Sequence, residues 1–127
     1  LAGCGAGHEY YAVAENGDLY PCHQFVGREG YRLGSVFTGV ERMELPTYFR
    51  NSHVLNKPLC RDCWARFYCS GGCHANADLF HGDIRHPYEV GCAIQKKRLE
   101  CAILVQAVLA LEKEAAEEAQ EDMRKRA

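Results

Sequence analysis

The sequence lacks the features that would assign it to several common classes of protein. Its 127 residues carry 15 basic and 17 acidic side chains, a net charge of −2. It therefore has no excess of positive charge with which to bind nucleic acid or an anionic membrane surface. Leu1 stands first instead of Met, and no charged and then apolar leader follows it. We expect no secretory signal and a chain cut from a longer protein.

The chain also lacks an apolar run long enough to cross a membrane. Residues 101–111 are apolar except at Gln106, but a membrane-spanning helix needs about 20 such residues. From Ala93 onward there is no Gly or Pro, and Ala, Leu, Glu, Lys and Gln dominate, which predicts a long helix. We expect the middle of this helix to be buried and residues 112–127 to form a charged helical extension. Alternatively, the apolar middle docks on a domain missing from this chain.

What the sequence has in plenty is cysteine, with eight residues. In a small secreted protein this number indicates four disulfides, and that alternative stays open. However, four of the cysteines lie close together, in the pattern Cys60-x2-Cys63-x5-Cys69-x3-Cys73. Disulfide scaffolds tend to spread their cysteines, whereas reduced thiolates in a cytosolic protein bind metals. We therefore predict a cytoplasmic protein with cysteine-ligated metal.

The spacing of the cysteines favours iron–sulfur clusters over zinc. Zinc commonly uses two separated Cys-x2-Cys pairs or histidines, and only one such pair is present, at Cys60 and Cys63. A cluster is several ångströms across and accepts wider loops. With Cys4, Cys22 and Cys92 the pattern offers seven thiolates, enough for one complete four-iron cluster and one with an open position. A zinc module for protein interaction and a ferredoxin-type electron carrier remain alternatives.

Local patterns predict a small α+β domain. The sequence predicts a β-hairpin whose strands are residues 10–13 and Leu19-Tyr20, with a turn at residues 15–18. It also predicts a further strand at Val36-Phe37. Residues 41–52 predict a short helix with Pro46 in its first turn. Residues 53–92 show little periodicity, so we expect bound metal rather than an apolar core to order these loops and helices. The long C-terminal helix ends the domain.

Cys101 is predicted to lie outside the metal sites. It follows Cys92 by nine residues, about half a turn out of phase on a continuous helix, with a rise of roughly 13 Å. We interpret it as a buried structural thiol, the common fate of an unligated cysteine.

The complete pattern resembles a known motif. Cys4, then Gly17-x4-Cys22, then Cys60-x2-Cys63-x5-Cys69-x3-Cys73 and finally Cys92 is similar to the seven-cysteine SPASM motif, the auxiliary-cluster domain of radical S-adenosylmethionine (SAM) enzymes. Within that family, the segments around Cys4, Gly17–Cys22, Cys63–Cys73 and Gly91–Arg98 resemble the maturases of six-cysteine peptides. Those enzymes install thioether crosslinks in ribosomally made peptides. The resemblance implies a SPASM domain over residues 1–111.

The resemblance also implies two [4Fe–4S] clusters with crossed ligation. The first takes Cys4, Cys22 and Cys73, and the second takes Cys60, Cys63, Cys69 and Cys92. Proximity along the chain favours Cys73 with its neighbours, so its assignment rests on the family. The first cluster then has either an upstream cysteine ligand or an open site for a substrate thiolate.

One residue departs from the family pattern. Sulfatase-maturing relatives carry an aspartate, thought to act as a base, directly after the hairpin cysteine, where this chain has His23. An imidazole can accept a proton near neutral pH, so His23 is a candidate catalytic residue. The alternative interpretation is a packed side chain or a hydrogen-bond donor to sulfur. The other histidines are read as surface or structural, with His74 beside a cluster ligand.

The SAM-binding motif of the family, Cys-x3-Cys-x2-Cys on a (β/α) barrel, is incomplete here. Cys69-x3-Cys73 begins it, but Asn76 stands where the third cysteine belongs, and a barrel does not fit in this length. We expect these residues alone not to cleave SAM. The resemblance places SAM and a third cluster in a missing barrel domain. The expected partners are that barrel and a Cys-rich precursor peptide. We expect this chain to bind neither nucleic acid nor a membrane.

Overall fold

A small antiparallel sheet forms the first part of the fold. The computed structural model describes residues 3–126. Strands β1 (Ala12–Val13), β2 (Asp18–Tyr20), β3 (Gly34–Ser35) and β4 (Gly39–Val40) pair in chain order. β1 and β2 form the predicted hairpin, with Ala12 opposite Tyr20, and Gly17 turns the chain with φ +87°.

The position predicted for the further strand, Val36-Phe37, is wrong by two residues. The strand is Gly34–Ser35, and Val36 and Phe37 lie in the turn to β4, where Phe37 is 85% exposed. The Ser35 hydroxyl accepts hydrogen bonds from the backbone N–H groups of Phe37 and Thr38. This side-chain turn competes with continued strand pairing and ends β3 early.

Five helices complete the described fold. They are α1 (Glu44–Asn51), α2 (Pro58–Arg61), α3 (Arg66–Cys69), α4 (His74–His81) and α5 (Glu89–Arg126). The predicted helix with Pro46 in its first turn is confirmed as α1, because Pro46 lies among the N-terminal residues, whose N–H groups have no helical acceptor. Two short 3-10 helices, His23–Phe25 and Glu29–Tyr31, connect β2 to β3. The α+β class is confirmed.

An aromatic core joins the sheet segment to the cysteine-rich segment. Phe25 and Phe49 are fully buried and meet edge to face, with ring centroids 5.4 Å apart. Ala75 of α4 and Ile84 belong to the same cluster. The expectation that residues 53–92 lack a standard core is therefore wrong in part, because these apolar side chains are buried without any helical or strand periodicity to mark them.

The chain divides into two compact units, residues 1–92 and 93–127. The long predicted helix is confirmed, but it begins at Glu89, so Gly91 and Cys92 lie on it. The prediction that the middle of this helix is buried is wrong, because residues 100–126, including Cys101, are exposed. A single helix buries an apolar face only against another layer, and these residues are exposed on every side. None of the helices within residues 3–126 has the length and apolarity needed to cross a bilayer.

Candidate metal centre

The seven predicted ligand cysteines fall into two sets in the first unit. All eight cysteines of the chain carry thiols rather than disulfides. The Cys22 thiol interacts electrostatically with the thiols of Cys73 and Cys4. The Cys60 thiol interacts in the same way with those of Cys92, Cys69 and Cys63. We call these groups the three-thiol set (Cys4, Cys22 and Cys73) and the four-thiol set (Cys60, Cys63, Cys69 and Cys92).

The three-thiol set gathers residues from distant parts of the chain. Cys4 precedes the hairpin, Cys22 follows β2 and Cys73 stands directly before α4. Cys22 is buried, whereas Cys4 and Cys73 are exposed. Burial raises the pKa of the Cys22 thiol, and the neighbouring thiols of Cys73 and Cys4 raise it further. Hydrogen bonds from the backbone of Gln24 and Phe25 act in the opposite direction and lower this pKa.

Two polar side chains accompany the three-thiol set. Tyr10 forms a side-chain hydrogen bond with Cys4, and its pKa is raised by burial and by the thiols of all three cysteines of the set. The side-chain amide of Gln24 lies 3.8 Å from the Cys73 sulfur, within reach of an N–H···S hydrogen bond. Donors of this kind tune metal-bound thiolates. Sequence reasoning missed both residues, because Tyr10 reads as an ordinary strand aromatic and Gln24 as a surface polar residue.

The four-thiol set is built on two short helices and the first turn of α5. Cys60 lies in α2, Cys63 in the connection that follows it, Cys69 at the end of α3 and Cys92 in α5. Burial raises the pKa of the Cys60 thiol, and the ammonium of Lys57 opposes that rise. A bound cation is what holds such buried sulfurs as thiolates at neutral pH.

Lys57 is fully buried between the two sets. Its side chain is 0% exposed, and its Nζ donates a hydrogen bond of 2.9 Å to the carbonyl of Gly71. Burial lowers its pKa, and the thiols of Cys60 and Cys69 and then of Cys4 and Cys73 oppose that effect. None of the ion pairs formed within residues 3–126 gives Lys57 a carboxylate. Since a buried ammonium is costly without a countercharge, the sulfur atoms of both sets are the candidate partners for its charge.

The loop that carries Gly71 is shaped by three consecutive residues with positive φ. Ser70, Gly71 and Gly72 have φ values of 56°, 88° and 73°. Such successive left-handed residues turn backbone N–H groups toward one side, the arrangement that approaches anions and cluster sulfurs. The backbone N–H of Gly72 bonds to the carbonyl of Cys69 at 3.5 Å, which closes the turn between the two ligand segments.

His74 is a buried structural residue beside the three-thiol set. It is 3% exposed, its ring meets Phe49 edge to face at 5.4 Å, and its Nε2 lies 3.4 Å from the Ser52 carbonyl. Burial lowers its pKa to about 4, so the ring is neutral at physiological pH. Its Nδ1 is buried and has no hydrogen-bond partner among the residues that the structure describes. His23, the candidate catalytic residue, is exposed on the 3-10 helix that follows Cys22.

The aromatic side chains near the four-thiol set face solvent. Trp64, Phe67 and Tyr68 are 51%, 59% and 76% exposed, so these rings do not seal the four-thiol set from water in this unit. Arg66 stacks on the Phe67 ring, with the guanidinium carbon 4.6 Å from the ring centroid.

The sulfur atoms of the two sets are less closely gathered than the ligands of a bound zinc ion. Zn–S bonds of about 2.3 Å in a tetrahedron hold two sulfurs about 3.8 Å apart. Within residues 3–126, the only group of three or more potential ligand atoms that lie within 4.8 Å of one another contains no cysteine. No three sulfur atoms of either set therefore all lie within 4.8 Å of one another among the described residues. The donor chemistry, four thiols in one set and three in the other, fits two iron–sulfur clusters, which take thiolate ligands.

Comparison of the sequence with protein-family models finds no match, and comparison with curated proteins finds none either.

Proposed function

We propose that this chain is the auxiliary-cluster (SPASM) domain of a radical SAM enzyme that installs thioether crosslinks in a ribosomally made, cysteine-rich peptide. The observation that supports the proposal is that the Cys22 thiol interacts with the thiols of Cys73 and Cys4, whereas the Cys60 thiol interacts with those of Cys92, Cys69 and Cys63. Simple proximity predicts the opposite grouping. The crossed arrangement is what the SPASM resemblance implies.

The residues present fit two [4Fe–4S] clusters. Cys60, Cys63, Cys69 and Cys92 would hold one, and Cys4, Cys22 and Cys73 the other, which leaves one position for a ligand from outside these residues. When bound, the clusters supply electron transfer and, at the open position, a Lewis-acidic iron for a substrate thiolate. Lys57 balances negative charge between the two sets, while Tyr10 and Gln24 supply hydrogen bonds at the three-thiol set.

The intact enzyme needs a barrel domain that binds SAM and a third cluster, and we propose that domain as the partner of this one. Support comes from α5, whose side chains Ile103, Leu104 and Leu111 are each more than 60% exposed. Exposed apolar side chains on one helix favour a protein partner. The exposed aromatic residues Trp64 and Tyr68 suit contact with peptide. His23, next to Cys22, is exposed to a bound substrate and remains the candidate base.

Metal and sulfide analysis tests the cofactor part of the proposal. We expect about eight iron and eight sulfide per chain after reconstitution without oxygen, with a broad brown absorbance. Cys60→Ala and Cys22→Ala should each remove roughly half of the iron, since each belongs to a different set. Cys101→Ala, the matched control, should remove none. One or two zinc ions with no sulfide would overturn the proposal and leave a zinc interaction module.

Activity of the intact enzyme tests the catalytic part. Changing Cys22 and Cys73 together to Ala should abolish thioether formation in a Cys-rich peptide, because both residues would hold the cluster with the open position. Full crosslinking by that double variant would contradict a role for the three-thiol set in the reaction. SAM cleavage without peptide, which the barrel performs, is the control that shows that the rest of the enzyme is folded.

A further inference from the structure

A second cluster of potential metal ligands lies outside the two thiol sets. It consists of His81 at the end of α4, His86 in the following loop and Glu89 at the start of α5. The Nε2 of His81 lies 3.0 Å from Oε2 of Glu89, and the Nε2 of His86 lies 3.4 Å from Oε1 of the same carboxylate. One ligand atom from each of the three residues falls within 4.8 Å of the others.

The loop between α4 and α5 holds these three residues in place. Ile84, in the middle of the loop, is fully buried in the core. Gly82 ends α4 in the left-handed conformation with φ +68°, a backbone turn that reverses the chain after His81. The Asp83 carboxylate accepts a hydrogen bond of 2.9 Å from the Tyr48 hydroxyl, which fixes the loop to α1.

Aromatic stacking fixes the two ends of the loop to each other. The rings of Phe80 and Tyr88, the neighbours of His81 and Glu89, stack with centroids 4.1 Å apart and planes 10° apart. The ring centroids of His81, at the end of α4, and His86, in the loop, lie 4.1 Å apart. The ligand atoms therefore converge without any chain rearrangement, which is the condition for binding without a large ordering cost.

We propose that His81, His86 and Glu89 form a binding site for a divalent transition metal of the zinc type. Bonds of about 2.0–2.1 Å in a tetrahedron separate neighbouring ligand atoms by about 3.3 Å. The observed separations, 3.0 Å from His81 to Oε2 and 3.4 Å from His86 to Oε1 of Glu89, are close to this value, so that small side-chain rotations would bring the three groups onto one ion. Two imidazoles and one carboxylate select zinc, nickel or ferrous iron over calcium or magnesium, which prefer oxygen ligands alone.

The site would leave at least one coordination position to solvent or to a further ligand. Three protein ligands with an open fourth position are the pattern of accessible rather than purely structural zinc sites. The exposure of His86 and Glu89 places that position at the protein surface. The site is chemically distinct from the thiol sets because it offers only nitrogen and oxygen donors.

Metal at this site would also stabilise the part of α5 that carries a thiol ligand. Glu89 and Cys92 stand three residues apart, in the same first turn of α5. Binding would join the end of α4 to that turn through His81. This consequence does not depend on the proposed function, since it requires only the three ligand side chains.

Metal titration of the cluster-loaded, untagged chain tests the site, because the seven thiols are then occupied. We expect one equivalent of Ni²⁺ to bind at pH 7.5 in calorimetry. X-ray absorption of the bound nickel should show a shell of nitrogen and oxygen without sulfur. His81→Gln and Glu89→Gln should each weaken binding at least tenfold, whereas the controls His53→Gln and Glu117→Gln should leave it unchanged.

Other outcomes overturn the proposal or separate it from the proposed function. No binding above that of the His81→Gln variant, or a sulfur shell around nickel in the cluster-loaded chain, would overturn it. His86→Gln is the second variant in case Glu89→Gln perturbs the start of α5, and circular dichroism reports that perturbation. If the thiol sets hold zinc instead of clusters, the proposed function fails, but a further equivalent with only nitrogen and oxygen ligands still supports this site.

Discussion

The buried ammonium of Lys57 is bonded to the backbone carbonyl of Gly71, at 2.9 Å, in the loop between the two thiol sets. Glycine is favoured there for two reasons. Its φ is +88°, and a Cβ at this position would lie 3.3 Å from Cδ of Lys57. The loop thus approaches the lysine closely enough to bind it, and the lysine brings a positive charge to both sets of cysteines.

Replacing Lys57 by Met should lower the reduction potentials of both proposed clusters. Met fills a similar volume without charge, and removing a positive charge disfavours the more negative, reduced state of a nearby cluster. We expect a fall on the order of tens of millivolts, measured by redox titration of the reconstituted chain. Lys113→Met, at an exposed position of α5, is the control. Unchanged potentials at both clusters would show that Lys57 only packs the loop.

Double substitutions test the crossed grouping of the cysteines. If Cys22 and Cys73 hold the same cluster, Cys22→Ser with Cys73→Ser should lose no more iron than either single change. Cys73→Ser with Cys60→Ser should lose nearly all of it. Iron and sulfide analysis after anaerobic reconstitution measures both. Nearly complete loss in the first pair, with half retained in the second, would instead place Cys73 with Cys60.

The parts of the fold that sequence predicted are those with a local signal. The hairpin from Ala12 to Tyr20, α1 around Pro46 and the long C-terminal helix follow from turn residues and composition. Burial of Ile84 and Lys57 could not be predicted in this way, because neither lies in a periodic segment. Cys101 was predicted to be buried but is exposed. The apolar stretch around it indicates that this part of the helix needs a partner, but the sequence does not show whether the same chain supplies one.

At the candidate site, too, only the features with a local sequence signal could be predicted. Spacing singled out the seven cysteines, but chain proximity alone would have placed Cys73 with Cys69, and only the family resemblance implied otherwise. Tyr10 lies just before β1 and Gln24 on the 3-10 helix after Cys22, and no local pattern encodes their contacts with the three-thiol set. The metal-ligand geometry of His81 and His86 depends on how the loop between α4 and α5 closes.

Tyr31→Phe should destabilise the fold by about 1 kcal/mol at pH 7, because the Tyr31 hydroxyl donates a hydrogen bond to Asp78 of α4. Burial, followed by that hydrogen bond and the Asp78 charge, raises the pKa of Tyr31 above its usual value near 10. The folded state therefore keeps the proton longer than the unfolded state. The stability that Tyr31 contributes is complete below about pH 10 and is lost as pH rises further.

Urea unfolding of the wild-type chain and of Tyr31→Phe at pH 7, 9 and 10.5 measures this difference. The gap between the two proteins should be constant up to pH 9 and shrink at pH 10.5. Tyr68→Phe, at a 76% exposed position, should show no gap at any of these pH values. A gap for Tyr31→Phe that stays constant to pH 10.5 would mean that the hydroxyl titrates alike in the folded and unfolded chain.

Gly34→Ala should disrupt the pairing of β3 with β4. A Cβ on Gly34 would lie 2.1 Å from the backbone carbonyl oxygen of Gly39 and 2.9 Å from the amide nitrogen of Glu41, and its φ of +153° disfavours side chains. Backbone atoms cannot move aside as a flexible side chain can, so we expect a loss of more than about 2 kcal/mol. Gly30→Ala is the matched control, because its Cβ would meet no atom within 4 Å. Melting temperatures of the two variants check the prediction: Gly30→Ala should melt with the wild type and Gly34→Ala well below it, whereas equal melting of both would show that β3 and β4 can separate without cost to the core.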